Sequence, residues 1–343
     1  MNRQMQHNTW WTPDSFSARK PHLAGRQAVL RTWRKWFENQ GFDEVETPCL
    51  QVSPCVEVHV RGFKTWLEGR KPGEGREVWL QTSPEFAMKK LLVAGAERIY
   101  QFAHVFRNAE VTERHQPEFT LLEWYRANAD YTSLMDDCAA LLALAGEAAG
   151  RSKVEWHGVV CALDAEPEKL TVAEAFDRYC GLDIHAADFV EAAKAKGFRV
   201  AEGDGWEDVF FRLMLDEIEP NLGRGRPTFL CEYPVSMAIL SRAKPTDPRV
   251  AERFELYVAG LELANAYGEL TDAKIQRERF KIDMDIREKF CGERFPVDED
   301  FLKALEHGMP PSAGIALGFD RMVMLATGAT DIRQAQWMPM VSL

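Results

Sequence analysis

The stretch Phe106-Arg107-Asn108-Ala109-Glu110-Val111-Thr112-Glu113-Arg114-His115-Gln116-Pro117-Glu118-Phe119-Thr120-Leu121-Leu122-Glu123-Trp124-Tyr125 decides how the rest of this 343-residue chain is read. It leaves one apolar segment, 98–107, crosses a polar loop and enters a second, 118–126, and both segments read as strands. Successive strand side chains alternate faces. Phe119, Leu121, Glu123 and Tyr125 therefore share one face, and Leu122 and Trp124 share the other. A face that mixes a carboxylate, a phenol and an aromatic ring is a poor core and reads as a pocket floor. Arg107 has the parity of Gln101, Ala103 and Val105 and so projects over the same surface.

Upstream, residues 23–40 place Val29, Leu30, Trp33, Trp36 and Phe37 at helical spacing, which predicts a helix ended by Gly41. A strand over 42–46 follows and stops at Thr47-Pro48. Residues 68–77 are charged and turn-rich and read as a mobile hairpin loop. A helix is predicted from about 84 to 94, with Pro84 where a helix start tolerates it, and another over 131–149. Residues 150–226 change character: they carry helical patterns, including Thr171 and Glu174 at capping-box spacing, but no chemical motif. They read as an insertion packed on the core. Downstream, 253–258 and 261–270 form a hairpin turning at Ala259-Gly260.

The bulk numbers narrow the function. The chain has 42 basic and 53 acidic side chains, a net charge of −11. A protein that grips a long tract of RNA by its phosphates is usually more basic. The seven cysteines are scattered, with no CxxC or Cys/His ligand spacing, which points to reduced thiols and no zinc site. The first 17 residues lack an apolar signal core, and no later run is long enough to span a membrane. A cytoplasmic protein is expected.

Three segments together resemble the ATP and amino-acid site of class II aminoacyl-tRNA synthetases, closest to the lysine-specific type. They are residues 106–125; Arg253-Phe254-Glu255 with Glu262-Leu263-Ala264-Asn265-Ala266-Tyr267-Gly268-Glu269-Leu270-Thr271; and Gly314-Ile315-Ala316-Leu317-Gly318-Phe319-Asp320-Arg321. The resemblance implies an α+β fold, an antiparallel β-sheet flanked by helices. It implies one catalytic domain over 1–343, with the insertion at about 150–226, and a homodimer built on the helix, strand and proline around residues 23–48. For ATP it implies Arg107, Asn108, Arg114, His115, Phe119, Gly318 and Arg321, with Arg107 and Arg321 catalytic. Mg2+ falls to Glu255 and Glu262. For the amino acid it implies Ser83, Glu85, Glu123, Tyr125, Asn265, Tyr267, Glu269 and Ala316. Glu262 has the wrong strand parity for this set, so the resemblance requires a bulge near Ala264. Singly, each residue has a plainer reading: Arg321 as a surface salt-bridge partner, Phe119 as core, the strand glutamates as solvated.

Three carboxylates in a pocket that also admits ATP suit a substrate with two ammonium groups, because a buried cation needs a paired anion. Glu269 with Tyr125 would take the side-chain amine and Glu85 the other. Three departures from the lysine-type pattern stand out. Ala109 occupies the place of a glutamate, with Glu110 one place late, Ala316 replaces a pocket glycine, and the first motif, 41–48, begins too early to leave room for an anticodon-binding domain. With Ala316, the chain is similar to the elongation factor P–lysine ligase family. That likeness implies activation of (R)-β-lysine as its adenylate and transfer to a lysine of elongation factor P, with tRNA an unlikely partner. Two alternatives stay open: a minimal tRNA-lysylating enzyme and a non-catalytic regulatory paralogue.

Overall fold

Helix α1 (Pro13–Asn39) buries Leu23, Val29, Trp33 and Phe37 along one stripe, the spacing an amphipathic helix requires. The structure is a computed structural model that describes residues 10–55, 57–71 and 73–340. Residues 1–9 of the polar N-terminal stretch, and position 72 within the charged segment 68–77, lie outside the described residues. α1 begins ten residues before the predicted start at 23. Pro21 hides the extension, since an interior proline removes a helix hydrogen bond. Tertiary contacts hold the extra turns: buried Arg19 donates to the carbonyl of Trp337 at 3.1 Å and to that of Gln336.

The strand predicted over 42–46 is short, β1 (Asp43–Glu44). A small sheet follows from β2 (Leu50–Gln51), β3 (Phe63–Glu68) and β4 (Gly75–Leu80), with the charged turn between the last two. Then come α2 (Glu85–Val93), the hairpin strands β5 (Arg98–Phe106) and β6 (Glu118–Ala127), and α3 (Ser133–Ala149). The insertion is less helical than predicted. It opens with β7 (Lys153–Trp156), β8 (Val159–Ala162) and β9 (Glu168–Thr171). α4 (Val172–Cys180) starts at the predicted capping box, with Thr171 and Glu174 bonded reciprocally. α5 (Phe189–Ala195) and α6 (Trp206–Leu213) follow, then a π turn over Met214–Ile218 and a 3-10 turn over Glu219–Asn221. The chain returns through β10 (Thr228–Cys231), the ribbon β11 (Ala243–Lys244) and β12 (Asp247–Ala251), and the hairpin β13 (Arg253–Val258) and β14 (Leu261–Gly268). It closes with α7 (Ala273–Cys291), α8 (Glu299–Gly308), β15 (Ser312–Gly318) and α9 (Phe319–Thr327).

The central sheet runs β1-β5-β6-β15-β14-β13-β10-β9. It is antiparallel throughout its middle, with parallel pairs only at the two edges, β1 on β5 and β9 on β10. One face packs Leu122, Trp124, Ile315, Ala266 and Leu256 against α1, α3 and α9. Of the segment expected as an insertion, Val154, Trp156, Cys161 and Leu163 pack in the main core, and only the part from Leu170 onward has a core of its own, around Phe176, Phe189 and Phe210 and seated on Leu230 and Tyr257. The face left over is the one that parity assigned to a pocket. Among the described residues no helix is long and apolar enough to cross a membrane, and all seven cysteines are free.

The bulge that the resemblance required is present. Leu256 pairs with Ala264 but Tyr257 pairs with Glu262, which leaves Leu263 as an extra residue. Leu263 and Ala264 are both buried in the core. Glu262 is thereby rotated onto the face of Asn265 and Tyr267, which an unbroken ladder forbids.

A buried ion pair ties α1 to the start of α9. Asp320 accepts from Arg26 at 2.5 Å, from Gln336 Nε2 at 2.8 Å and from the Thr120 backbone N–H at 3.3 Å. Arg26 also donates to Thr120 Oγ1 at 2.9 Å and lies over the Phe319 ring. Removing one member strands a buried charge. Asp320→Ala should therefore cost about 3–5 kcal/mol, read as a lower urea midpoint; a midpoint unchanged from the parent protein would show the pair to be dispensable.

Candidate functional site

The pocket face is organised in two rows that cross the sheet. In one, Glu123 stands opposite Gln101 and Ala316, Ala316 opposite Asn265, and Asn265 opposite Glu255. In the other, Tyr125, Gly314, Tyr267 and Arg253 are aligned. Gly314 is dictated by its neighbours. A Cβ there would lie 2.2 Å from the Tyr125 ring and 2.3 Å from the Glu269 carboxylate, so only glycine lets both close over β15. Above these rows lies a cleft of about 300 Å³.

One end of the cleft is cationic. Arg107, Arg114 and Arg321 line it together with His115 and Phe119. The Arg107 guanidinium sits 5.5 Å from the Phe119 ring centroid, and its Nε has no hydrogen-bond partner among the described residues. Arg321 donates to the Glu262 carbonyl at 2.9 Å and to His115 Nε2. A guanidinium only donates, so Nε2 is the acceptor and Nδ1 carries the hydrogen, 2.8 Å from Thr112 Oγ1. Burial, with Arg321, Arg114 and Arg107 nearby, pushes the His115 pKa down to about 3 and keeps the ring neutral. His115 thus holds Arg321 in place. Gly318 and Ala316 also line the cleft.

Asn108 does not join them. It is exposed and outside the cleft, its Oδ1 accepting from the Ala109 N–H at 2.8 Å. Ala109 takes a left-handed conformation, φ 65°, which few non-glycine residues adopt. The turn brings Glu110 to the cleft wall, so the one-place offset of that glutamate is met by a local change of backbone.

Beside the arginines stands an acidic shoulder. Glu255 accepts from Arg253 at 2.6 Å, Tyr233 at 2.6 Å and Tyr257 at 2.7 Å. Burial and the charge of Glu255 push Glu262 up to about 7. They do the same to Glu219, also to about 7. Glu219 comes from the 3-10 turn that ends the insertion, a segment with no motif to mark it. Carboxylates crowded this closely repel one another and suit a hard divalent cation, which removes the repulsion. Among the described residues no group of three or more His, Cys, Asp or Glu is set to hold an ion alone. A magnesium ion on Glu255 and Glu262 would complete its shell with phosphate oxygens and water.

The opposite end is acidic and more deeply buried. Ser83 and Glu85 line the cleft, while Glu123, Tyr125 and Glu269 are sealed beneath its wall. Ser83 Oγ and the Tyr125 hydroxyl, the latter at 3.0 Å, both donate to Glu123. Sequence reasoning missed Lys89. One helical turn after Glu85, it is wholly buried and ion-paired to Glu85 and, at 2.5 Å, to Glu269. Burial pulls its pKa down, but the two carboxylates outweigh that and hold it above the ordinary lysine value. Its signal was a lysine beside Met88 on the buried stripe of a helix, at i, i+4 from a glutamate. Tyr125 and Glu269, expected to take a substrate amine together, both close over Gly314; within the protein Tyr125 donates to Glu123, and Glu269 and Glu85 share Lys89. Three carboxylates against one ammonium still leave this end anionic.

Burial and the charge of Glu85 push Glu123 up to about 8, against the hydrogen bonds from Ser83 and Tyr125. At neutral pH it is mostly protonated, and a ligand ammonium favours its ionised form, so binding releases a proton. Affinity for an amino acid with a side-chain ammonium should rise as pH climbs from 6 toward 8, by up to about tenfold per pH unit, and level off above. Calorimetry on Glu123→Gln should show no such rise; an equal slope in both proteins would assign the titration elsewhere. The family model for tRNA synthetases class II (D, K and N) matches residues 14–342, and the chain belongs to that family.

Proposed function

We propose that this enzyme activates (R)-β-lysine with ATP and transfers it to a lysine side chain of elongation factor P, as a cytoplasmic homodimer. Amino-acid activation and ligation are the chemistry of the family. The observation that carries the choice of amino acid is the buried end where Glu85, Glu123 and Glu269 face one ammonium, Lys89. Of the three family substrates, aspartate would set its own carboxylate against these, and asparagine would leave their charge unpaired. A diammonium substrate answers it. Ala316, between Glu123 and Asn265 in the row, adds a methyl where the lysine-type enzymes have glycine, and that favours an amino group shifted along the chain. The acceptor follows from the likeness of the Ala316 segment to elongation factor P–lysine ligases.

In the first step the substrate carboxylate attacks the α-phosphorus of ATP, and pyrophosphate leaves. Arg107 donates two charge-assisted hydrogen bonds to the oxygens on which charge builds. Phe119 stacks on adenine, and Arg114 and Arg321 neutralise the departing phosphates. Neutral His115 fixes the Arg321 fork. Glu255 and Glu262 would hold magnesium, which would neutralise phosphate charge there. Glu123 exchanges its proton for the substrate ammonium.

The test supplies ATP, magnesium and labelled β-lysine or α-lysine, with elongation factor P and bulk tRNA in one mixture. Label on elongation factor P, preferentially from β-lysine, is expected; label on tRNA alone would make this a minimal synthetase. Arg107→Ala should lower ATP–pyrophosphate exchange by about 10²–10³-fold with an unchanged circular dichroism spectrum, and near-normal exchange would remove the assigned role. Ala316→Gly should shift use toward α-lysine, whereas an unchanged preference would refute the argument from the added methyl.

A further inference from the structure

A second cavity of about 390 Å³ adjoins the first and shares Glu57, Arg253, Glu255, Asn265 and Tyr267 with it. Its outer walls are apolar: Phe210 and Phe211 of α6, Leu215 of the π turn and Ile286 of α7. Three of these are unusually open for large apolar side chains, Phe211 at 44%, Leu215 at 58% and Ile286 at 41% exposure. It carries five carboxylates, Glu57, Glu207, Glu219, Glu255 and Asp283, against one arginine, Arg253, and one histidine, His59. Arg253 is committed to Glu255, to Asn265 at 3.2 Å and to the Met237 carbonyl at 2.6 Å.

Asp283 is the telling residue. It is 8% exposed and lines this cavity, yet its Oδ2 has no hydrogen-bond partner among the described residues. The nearby Arg279 acts on it through charge but donates its Nη1 hydrogens elsewhere, to the carbonyls of Ala238 and Ser241 at 2.6 and 2.7 Å. A buried carboxylate without a partner is costly, and nothing in the activation step uses it. Burial, with Glu207 nearby, pushes its pKa up to about 7. Glu57, at the junction of the two cavities, is held by its backbone. Wholly buried Arg287 donates to the carbonyls of Glu57, Val58 and Val60 at 3.2, 2.9 and 2.7 Å.

We propose that this second cavity admits the acceptor: a lysine side chain of a protein, its methylenes along Phe211, Leu215 and Ile286 and its ammonium drawn in by Asp283 toward Glu57. The proposal rests on reading the first cavity as an adenylate site. Apolar walls around carboxylates fit an alkylammonium chain. They do not fit the 3′ end of a nucleic acid, whose phosphates the carboxylates would repel. At the junction the ammonium gives one proton to Glu57. The neutral nitrogen attacks the acyl carbon of the adenylate, a C–N bond forms, and the C–O bond to the phosphate breaks with its electron pair leaving on AMP. The second nitrogen proton passes to water, so each amide is made with release of AMP and two protons.

The two half-reactions are separable in the intact enzyme. Exchange of pyrophosphate into ATP reads activation, and formation of labelled amide on Nα-acetyl-lysine methylamide reads transfer. Asp283→Asn removes the docking charge, and Leu215→Lys places a cation at an exposed site on the mouth, where folding is not at issue. Both variants should exchange within twofold of the parent and form amide at least tenfold more slowly. Undiminished amide formation in both would overturn the acceptor channel alone. Absence of exchange in the unaltered enzyme would overturn the adenylate reading and the channel with it. Transfer to bulk tRNA that is lost in the same variants would replace the amine with a ribose hydroxyl as the occupant, and so refute the proposal.

Discussion

The rest of the structure depends on burying like charges together on one face of a sheet. Glu85, Glu123 and Glu269 are nearly inaccessible to water, and Arg107, Arg114 and Arg321 crowd one cleft end. Isolated buried charge is among the costliest arrangements a fold can hold. Lys89 offsets it at the anionic end, and Glu262, Glu110 and Glu57 offset it around Arg107. Neither set is fully balanced. Glu123 resolves its remaining cost by holding a proton, and Arg107 keeps a buried nitrogen unpaired. Such residual imbalance is what a ligand of complementary charge removes.

Two backbone departures let a regular sheet carry this irregular site. The extra residue Leu263 turns Glu262 onto the cleft face without moving Asn265 or Tyr267 from it. The left-handed Ala109 takes Glu110 to the cleft wall from a position one place late. Both are local changes of one residue, and the β13–β14 pairs on either side of Leu263 keep regular register. Gly314 is a third device of a different kind, a missing side chain that lets Tyr125 and Glu269 approach.

Much of this was legible in the chain because strand parity is strict. The split of Glu123 and Tyr125 from Leu122 and Trp124 followed from alternation alone, and the capping box at Thr171 from its spacing. The need for a bulge near Ala264 showed as a parity conflict between Glu262 and Asn265. What was not legible depends on contacts between distant segments. The early start of α1 is secured by Arg19 against residues more than three hundred positions away. β9 is a strand because β10 lies beside it, not because Glu168–Thr171 shows a strand pattern. Lys89 looked like one more helix lysine, since its two carboxylates come from its own helix and from beyond β14. Glu219 and Asp283 sit in segments without any motif, and only the folded insertion and α7 bring them to the cavities.

The central claim is that the cleft is built for a nucleotide at its arginine end and a diammonium amino acid at its acidic end. ATP–pyrophosphate exchange with aspartate, asparagine, α-lysine and β-lysine, each as the sole amino acid, tests it most directly. Exchange with the two lysines and none above background with aspartate or asparagine is the predicted result. Exchange with aspartate or asparagine as fast as with either lysine would contradict it, because a cleft end with three carboxylates and one ammonium could not then be what selects the substrate.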